Sequence, residues 1–316
     1  MISRRLWQAL IAPPAAHPLM HIHVPVTSAA PSQRRRRRGL LLIGLGVVVI
    51  AGFQIAVGIS FDLLTIALVV ALSAGTLFSL NFVGTIADSL ARARAGRAFD
   101  VYSTLPPGPF GAAWLMALGQ LHVDQMLLRI HRGILMLTRT AIALVIILTP
   151  AYIIILSYFV QIAISTPTYA ELVGEILLDT ITLLVLARLV LFDFTRSVVT
   201  AVLLALLVSA RARGQADAQV MAVGSFIGTQ FGIYVISAAA LFLILPTALT
   251  PLELNPLITE LLLLAPRVLI FVLVREAVVV VLWRSLLNLY EIPHMTIPSP
   301  GGLQTTELDA DPPRAL

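Results

Sequence analysis

Asp193 and Arg196 stand three residues apart inside one long apolar run, and Arg275 and Glu276 are neighbours inside another. A charge at the centre of a membrane helix costs about 2.5 to 3.5 kcal/mol on insertion scales, so such residues must be paired or used. Two uses suit these residue types: a path for a coupled ion or polar solute, or ion pairs that hold helices together near an interface. At helical spacing Asp193 and Arg196 are expected to pair on one face. The structural use carries more weight, because Arg188, Asp193, Arg196 and Arg267 fit the outer half of a membrane, where long side chains reach the interface.

The other chemical residue types form no set. His122 and His131, with Asp124 between them, are nine residues apart, which puts the histidines on opposite faces of a helix, and nothing completes a metal site. His17, His21 and His23 fall in a leader and read as incidental. There is no cysteine, and all 21 basic residues are arginine. A phosphate-binding loop with its lysine and lysine Schiff-base chemistry are therefore excluded. No G-x-S-x-G elbow, catalytic carboxylate pair or H-E-x-x-H motif occurs. The chain is not expected to be an enzyme or to hold a cofactor or metal.

The elements that must position these charges are membrane helices. With 59% hydrophobic residues, 12% charged residues and a mean hydropathy of +0.96, the chain falls outside soluble composition. An all-α, polytopic membrane protein of about six transmembrane helices with cytoplasmic interfacial helices is expected. A helix crossing the hydrocarbon core needs about 20 apolar residues. Residues 39–60, 63–87, 141–164, 220–245 and 261–283 meet that length. Residues 171–210 are too long for one crossing and short for two; they are read as an amphipathic surface helix, with Glu171, Glu175, Asp179 and Thr182 on one face, running into a crossing over 189–210.

Six crossings with both termini cytoplasmic put Arg34 to Arg38, Arg92, Arg94, Arg97, Arg129, Arg132, Arg211, Arg213 and Arg284 on the inner side, as the positive-inside rule requires. The formal charge of +5 is thus spent on orientation in the inner membrane, and nucleic-acid binding is not expected. Residues 1–38 form an arginine-rich leader in which 2–11 make a short helix lying in the interface. Residues 39–290 form the transmembrane domain, and 291–316 a disordered cytoplasmic tail. Gly224, Gly228 and Gly232 recur every four residues, a stripe that lets a second helix approach closely. Pro150 permits a kink in the third crossing.

Between the second and third crossings lies a cytoplasmic elbow, 88–135. Its LPPGP stretch, with Pro106, Pro107 and Pro109, must stop a helix. Phe110, Trp114, Leu115 and Leu118 follow at a spacing that suits a helix lying against the membrane face. Gly96, Phe99, Asp100, Val101, Tyr102, Thr104, Leu105, Pro106 and Pro107, together with the Leu206-Leu207-Val208-Ser209-Ala210-Arg211-Ala212-Arg213 ending of the fourth crossing, resemble the membrane subunits of type-2 ATP-binding-cassette exporters. The layout resembles that family over about residues 39–283, apart from the Pro-Pro-Gly-Pro insert and the leader.

The resemblance implies a permease subunit that works as a homo- or heterodimer. It would export a hydrophobic or amphipathic solute, with energy from a separate ATPase subunit docked on residues 88–120. Arg97, Asp100, Tyr102, Thr104, Leu105, Pro106 and Pro107 are the implied docking residues. Two other classes fit the composition: a structural or assembly subunit without a path of its own, and an ion-coupled transporter using Asp193, Arg196, Arg275 and Glu276.

Overall fold

The computed structural model describes residues 2–11, 63–104, 108–122, 126–163, 166–240 and 256–291. The first expected crossing, the arginine block 34–38, the leader histidines, Leu105, Pro106, Pro107 and the tail beyond Glu291 lie outside the described residues. Among these residues helix is the only regular structure, in eight elements: α1 (Ile2–Ile11), α2 (Leu63–Ala95), α3 (Ala98–Ser103), α4 (Gly108–His122), α5 (Met126–Ala163), α6 (Thr166–Ser209), α7 (Gln215–Ala239) and α8 (Pro256–Leu289). Stretches within three of them are long and apolar enough to cross a membrane: Leu127–Ala151, Thr180–Ser209 and Gln215–Ala239. The described residues are all-α, and these three apolar stretches suit a membrane.

The packing has a clear sense of direction. Gly75 meets Phe194 and Arg94 meets Ser209, so α2 and α6 run parallel. Asp193 meets Arg275 and Arg94 meets Tyr290, which adds α8 in the same direction. Thr76 meets Tyr234 and Gly84 meets Val223, so α7 returns antiparallel. These four helices enclose the core, with α6 at its centre: its residues 193–206 are all buried.

Where the backbones touch, a small residue permits it. A Cβ at Gly75 would stand 2.8 Å from the Phe194 Cα and 3.2 Å from its backbone nitrogen. Ser79, one turn further along α2, is buried as well, and its small side chain keeps that face close to its neighbours. The stripe of Gly224, Gly228 and Gly232 does not play the part expected of it within the described residues. A Cβ at any of the three would meet nothing within 4 Å, and the same side of α7 exposes Val220 and Phe231 at 72% and 70%. The reason is a competing stripe: Phe226, Gln230, Ile233 and Ser237 occupy the other face, and burying those larger and polar groups turns the glycines outward.

Two expected elements take another form. Residues 166–209 make one unbroken helix, with neither a surface segment turning into a crossing nor a hairpin. At 1.5 Å per residue α6 is about 66 Å long, roughly twice the thickness of a bilayer core. Its first half runs beside the second half of α5, where Thr149 and Thr180 are hydrogen-bonded at 3.1 Å. Apolar residues of α5, among them Met136, Ile147 and Ile154, point outward.

The second is α4, expected to lie flat against the membrane face. Instead Phe110 to Gly119 and Leu121 are buried. The sequence GPFGAAWLMALGQLH has almost no polar side to leave in water, and a helix apolar all round is driven inside. Its alanines and glycines let it fit there.

Because α4 enters the bundle, the arginine groups expected on one membrane side stand at two levels. Arg92, Arg94, Arg211 and Arg213 lie at the Ser209 end of α6. His131, between Arg129 and Arg132, stacks on Phe194 at 6.5 Å. Fifteen residues of α6 separate those levels, about 22 Å of helix.

Candidate functional site: a buried charge cluster and an exposed elbow

The cluster is assembled from five helices. The Arg275 guanidinium of α8 and the Asp193 carboxylate of α6 are in contact, and neither side chain is reached by solvent. A second Arg275 nitrogen donates to the Gln230 side-chain oxygen of α7 at 2.5 Å. The Tyr234 hydroxyl donates to Asp193 Oδ2 at 3.2 Å and lies 3.1 Å from the Thr76 hydroxyl of α2. The guanidinium also stands over the Tyr234 ring, 5.0 Å from its centre, and over Phe271 at 5.6 Å.

One turn along, Arg196 Nε lies 3.4 Å from Glu276 Oε2, with its guanidinium 4.4 Å from the centre of the Phe192 ring. The same carboxylate receives α1: the Ser3 backbone N–H donates to Glu276 Oε1 at 3.2 Å, and the Ser3 hydroxyl donates to Oε2, the oxygen that Arg196 also faces. All four charged residues singled out in the sequence thus meet, but the expected pairing of Asp193 with Arg196 along one helix is replaced. Asp193 takes its ion partner from α8, and so does Arg196. Parallel helices in register make this exchange available, bringing Arg275 to Asp193 and Glu276 to Arg196.

Two acids and two bases leave the cluster formally neutral, as buried charge demands. Ser197, Thr200 and Ser237 extend the polar stripe with hydroxyls that have no hydrogen-bond partner among the described residues. No group of three or more His, Asp or Glu among the described residues could hold a metal ion. The cluster contains no activated nucleophile. Its chemistry is that of a clasp joining α2, α6, α7 and α8, with α1 on its flank.

The elbow is a separate site at the other end of α6. Arg97 adopts a left-handed backbone, φ 59°, and opens α3. Arg97, Asp100, Val101 and Thr104 are exposed, and Tyr102 is half-buried against the core. The Thr104 hydroxyl donates to the Val101 carbonyl at 2.7 Å, closing α3 on itself. Behind this exposed rim the anchoring is dense. Arg94 lies over the buried Phe99 ring at 4.8 Å, donates to the Ser209 carbonyl and donates to the Tyr290 hydroxyl at 2.9 Å. Phe110, at the start of α4, packs edge-on to Trp283 and Tyr290 at 5.7 and 5.5 Å. Burial raises the Tyr290 phenol above its ordinary range, and the Arg94 charge opposes part of that rise.

Several of these residues escape a reading of the sequence alone. Gln230, Tyr234 and Ser237 at spacings of four and three form a polar stripe in an apolar helix, a pattern that marks an inward face. Thr76, Ser3 and Arg94 carry no such mark, since their partners lie more than a hundred residues away in sequence.

Comparison with protein-family models, with characterised proteins and with solved structures finds no match for this chain. The functional reading therefore rests on the residues and their arrangement.

Proposed function

We propose that the chain is the permease subunit of an ABC-type exporter, working as a dimer in the cytoplasmic membrane with a separate ATPase subunit. About six crossings would include residues 39–60 and α2, α5, α6, α7 and α8, with both termini cytoplasmic. The observation that supports this reading is the elbow. An exposed helix, α3, with Arg97, Asp100, Val101 and Thr104 free to meet a partner, is joined to α4, which is buried along its length against the helices of the bundle. A push on α3 would pass through the buried Phe99 and, by way of Arg94 and Tyr290, to the ends of α2, α6 and α8.

The decisive experiment reconstitutes the chain with a candidate ATP-binding-cassette ATPase subunit and measures hydrolysis. Asp100→Arg and Val101→Asp are expected to lower permease-dependent hydrolysis about tenfold or more, the consequence of a like-charge or desolvated-charge contact at a docking surface. Unchanged hydrolysis in both variants would remove the elbow as a docking site.

A second reading, a structural subunit of a larger membrane complex, draws on the charge cluster. Four charges balanced and withdrawn from solvent suit a fixed clasp better than a conducting path. Cargo movement by the reconstituted pair in sealed vesicles separates the two readings.

A further inference from the structure

We propose that α1 is a detachable latch, seated between α6 and α8 and capped from outside its own helix by Glu276. The first backbone N–H groups of any helix lack intrahelical partners, and a side-chain acceptor at the first position normally supplies one. In α1 that acceptor comes from 273 residues away: Glu276 receives both the Ser3 N–H and the Ser3 hydroxyl. The carboxylate also sits at the positive end of the α1 dipole, an attraction of the favourable sign.

The rest of α1 is built to dock. Ser3, Leu6, Trp7, Ala9 and Leu10 are buried while Arg4, Arg5 and Gln8 face out. Trp7 meets His131 of α5 edge-on at 5.2 Å and Phe194 of α6 at 6.0 Å. A helix of ten residues is too short to persist in water by itself, so docking and folding of α1 are one event. Because Glu276 also carries the Arg196 contact, the same carboxylate links the latch to the α6–α8 clasp. Undocking α1 withdraws two hydrogen bonds from Glu276 and uncovers the Arg196–Glu276 pair, and docking α1 holds α6 and α8 in the arrangement described.

The absence of cysteine from the chain makes a direct test available. Ala9→Cys is a small change at a buried position of α1, Arg5→Cys is its exposed counterpart, and Ala205→Cys reports on the core of α6. The full-length protein in detergent is treated with a maleimide and the labelling rate is read for each cysteine. The latch predicts slow labelling at residue 9 and fast labelling at residue 5. Adding Glu276→Ala should accelerate residue 9 about tenfold, as loss of a charge-assisted cap raises the open population, with residue 205 still protected.

Residue 9 labelled as fast as residue 5 without any second substitution, or unaffected by Glu276→Ala, would overturn the proposal. If Glu276→Ala also exposes residue 205, the Ser3→Ala background decides, because it removes the hydroxyl donor without touching Arg196. Acceleration at residue 9 alone then supports the latch, and no acceleration refutes it.

Discussion

Arg275 of α8 and Asp193 of α6 form an ion pair with no solvent exposure on either side chain. Removing one member strands the other in an interior that cannot hydrate it. Arg275→Met is therefore expected to destabilise the folded protein by about 3 to 5 kcal/mol, and the double variant Asp193→Leu/Arg275→Met to recover most of that loss. Thermal or denaturant unfolding in detergent, run as a double-mutant cycle, measures both. A double variant as unstable as the sum of its singles would show that the two charges do not act as a pair.

Two glycines make opposite predictions from the same substitution. At Gly75 a methyl group would meet the Phe194 backbone, which cannot step aside, so Gly75→Ala should cost about 1 to 3 kcal/mol. At Gly228 there is open space, and Gly228→Ala should be neutral or stabilising by up to about 1 kcal/mol, because alanine favours helix. Unfolding midpoints of the two variants settle the comparison. If Gly228→Ala instead shifts an oligomer to smaller species on sizing, the glycine stripe packs between chains.

Alkaline pH should loosen the end of the bundle that carries Tyr290. Its phenol titrates higher in the folded protein than the ordinary value near 10, through burial. The neutral phenol is thus favoured by folding; its contribution is complete below about pH 10 and is lost as pH rises through the raised folded value. Tyr290→Phe should remove that alkaline step while costing about 1 kcal/mol at neutral pH for the lost Arg94 bond. A pH series of unfolding midpoints for the two proteins tests the sign.

At the elbow, stability and function should separate. Arg97 holds a left-handed backbone that costs a side-chain-bearing residue about 1 kcal/mol or more. Arg97→Gly should therefore leave the fold unharmed or slightly firmer, and Asp100→Arg should change unfolding by no more than about 0.5 kcal/mol, since the side chain is exposed. A large loss of stability from Asp100→Arg would mean that α3 is anchored through its rim rather than through Phe99.

Composition alone pointed to a helical membrane protein: with so few charges and apolar runs of about twenty residues, each run can satisfy its own backbone as a helix inside a bilayer. Local rules also placed the short helix at the very start of the chain and the break in the elbow, because proline geometry and helical periodicity act over a few residues. The four charges were legible as a set for the same reason, each being conspicuous in an apolar run. Their partners were not. Which acid meets which arginine depends on the register of α6 against α8, seen in the Asp193–Arg275 and Arg196–Glu276 contacts, and no local rule fixes that register. The outward turn of Gly228, the burial of α4 and the capping of α1 by Glu276 likewise come from competition among faces for one interior, a contest settled only when all the helices pack together.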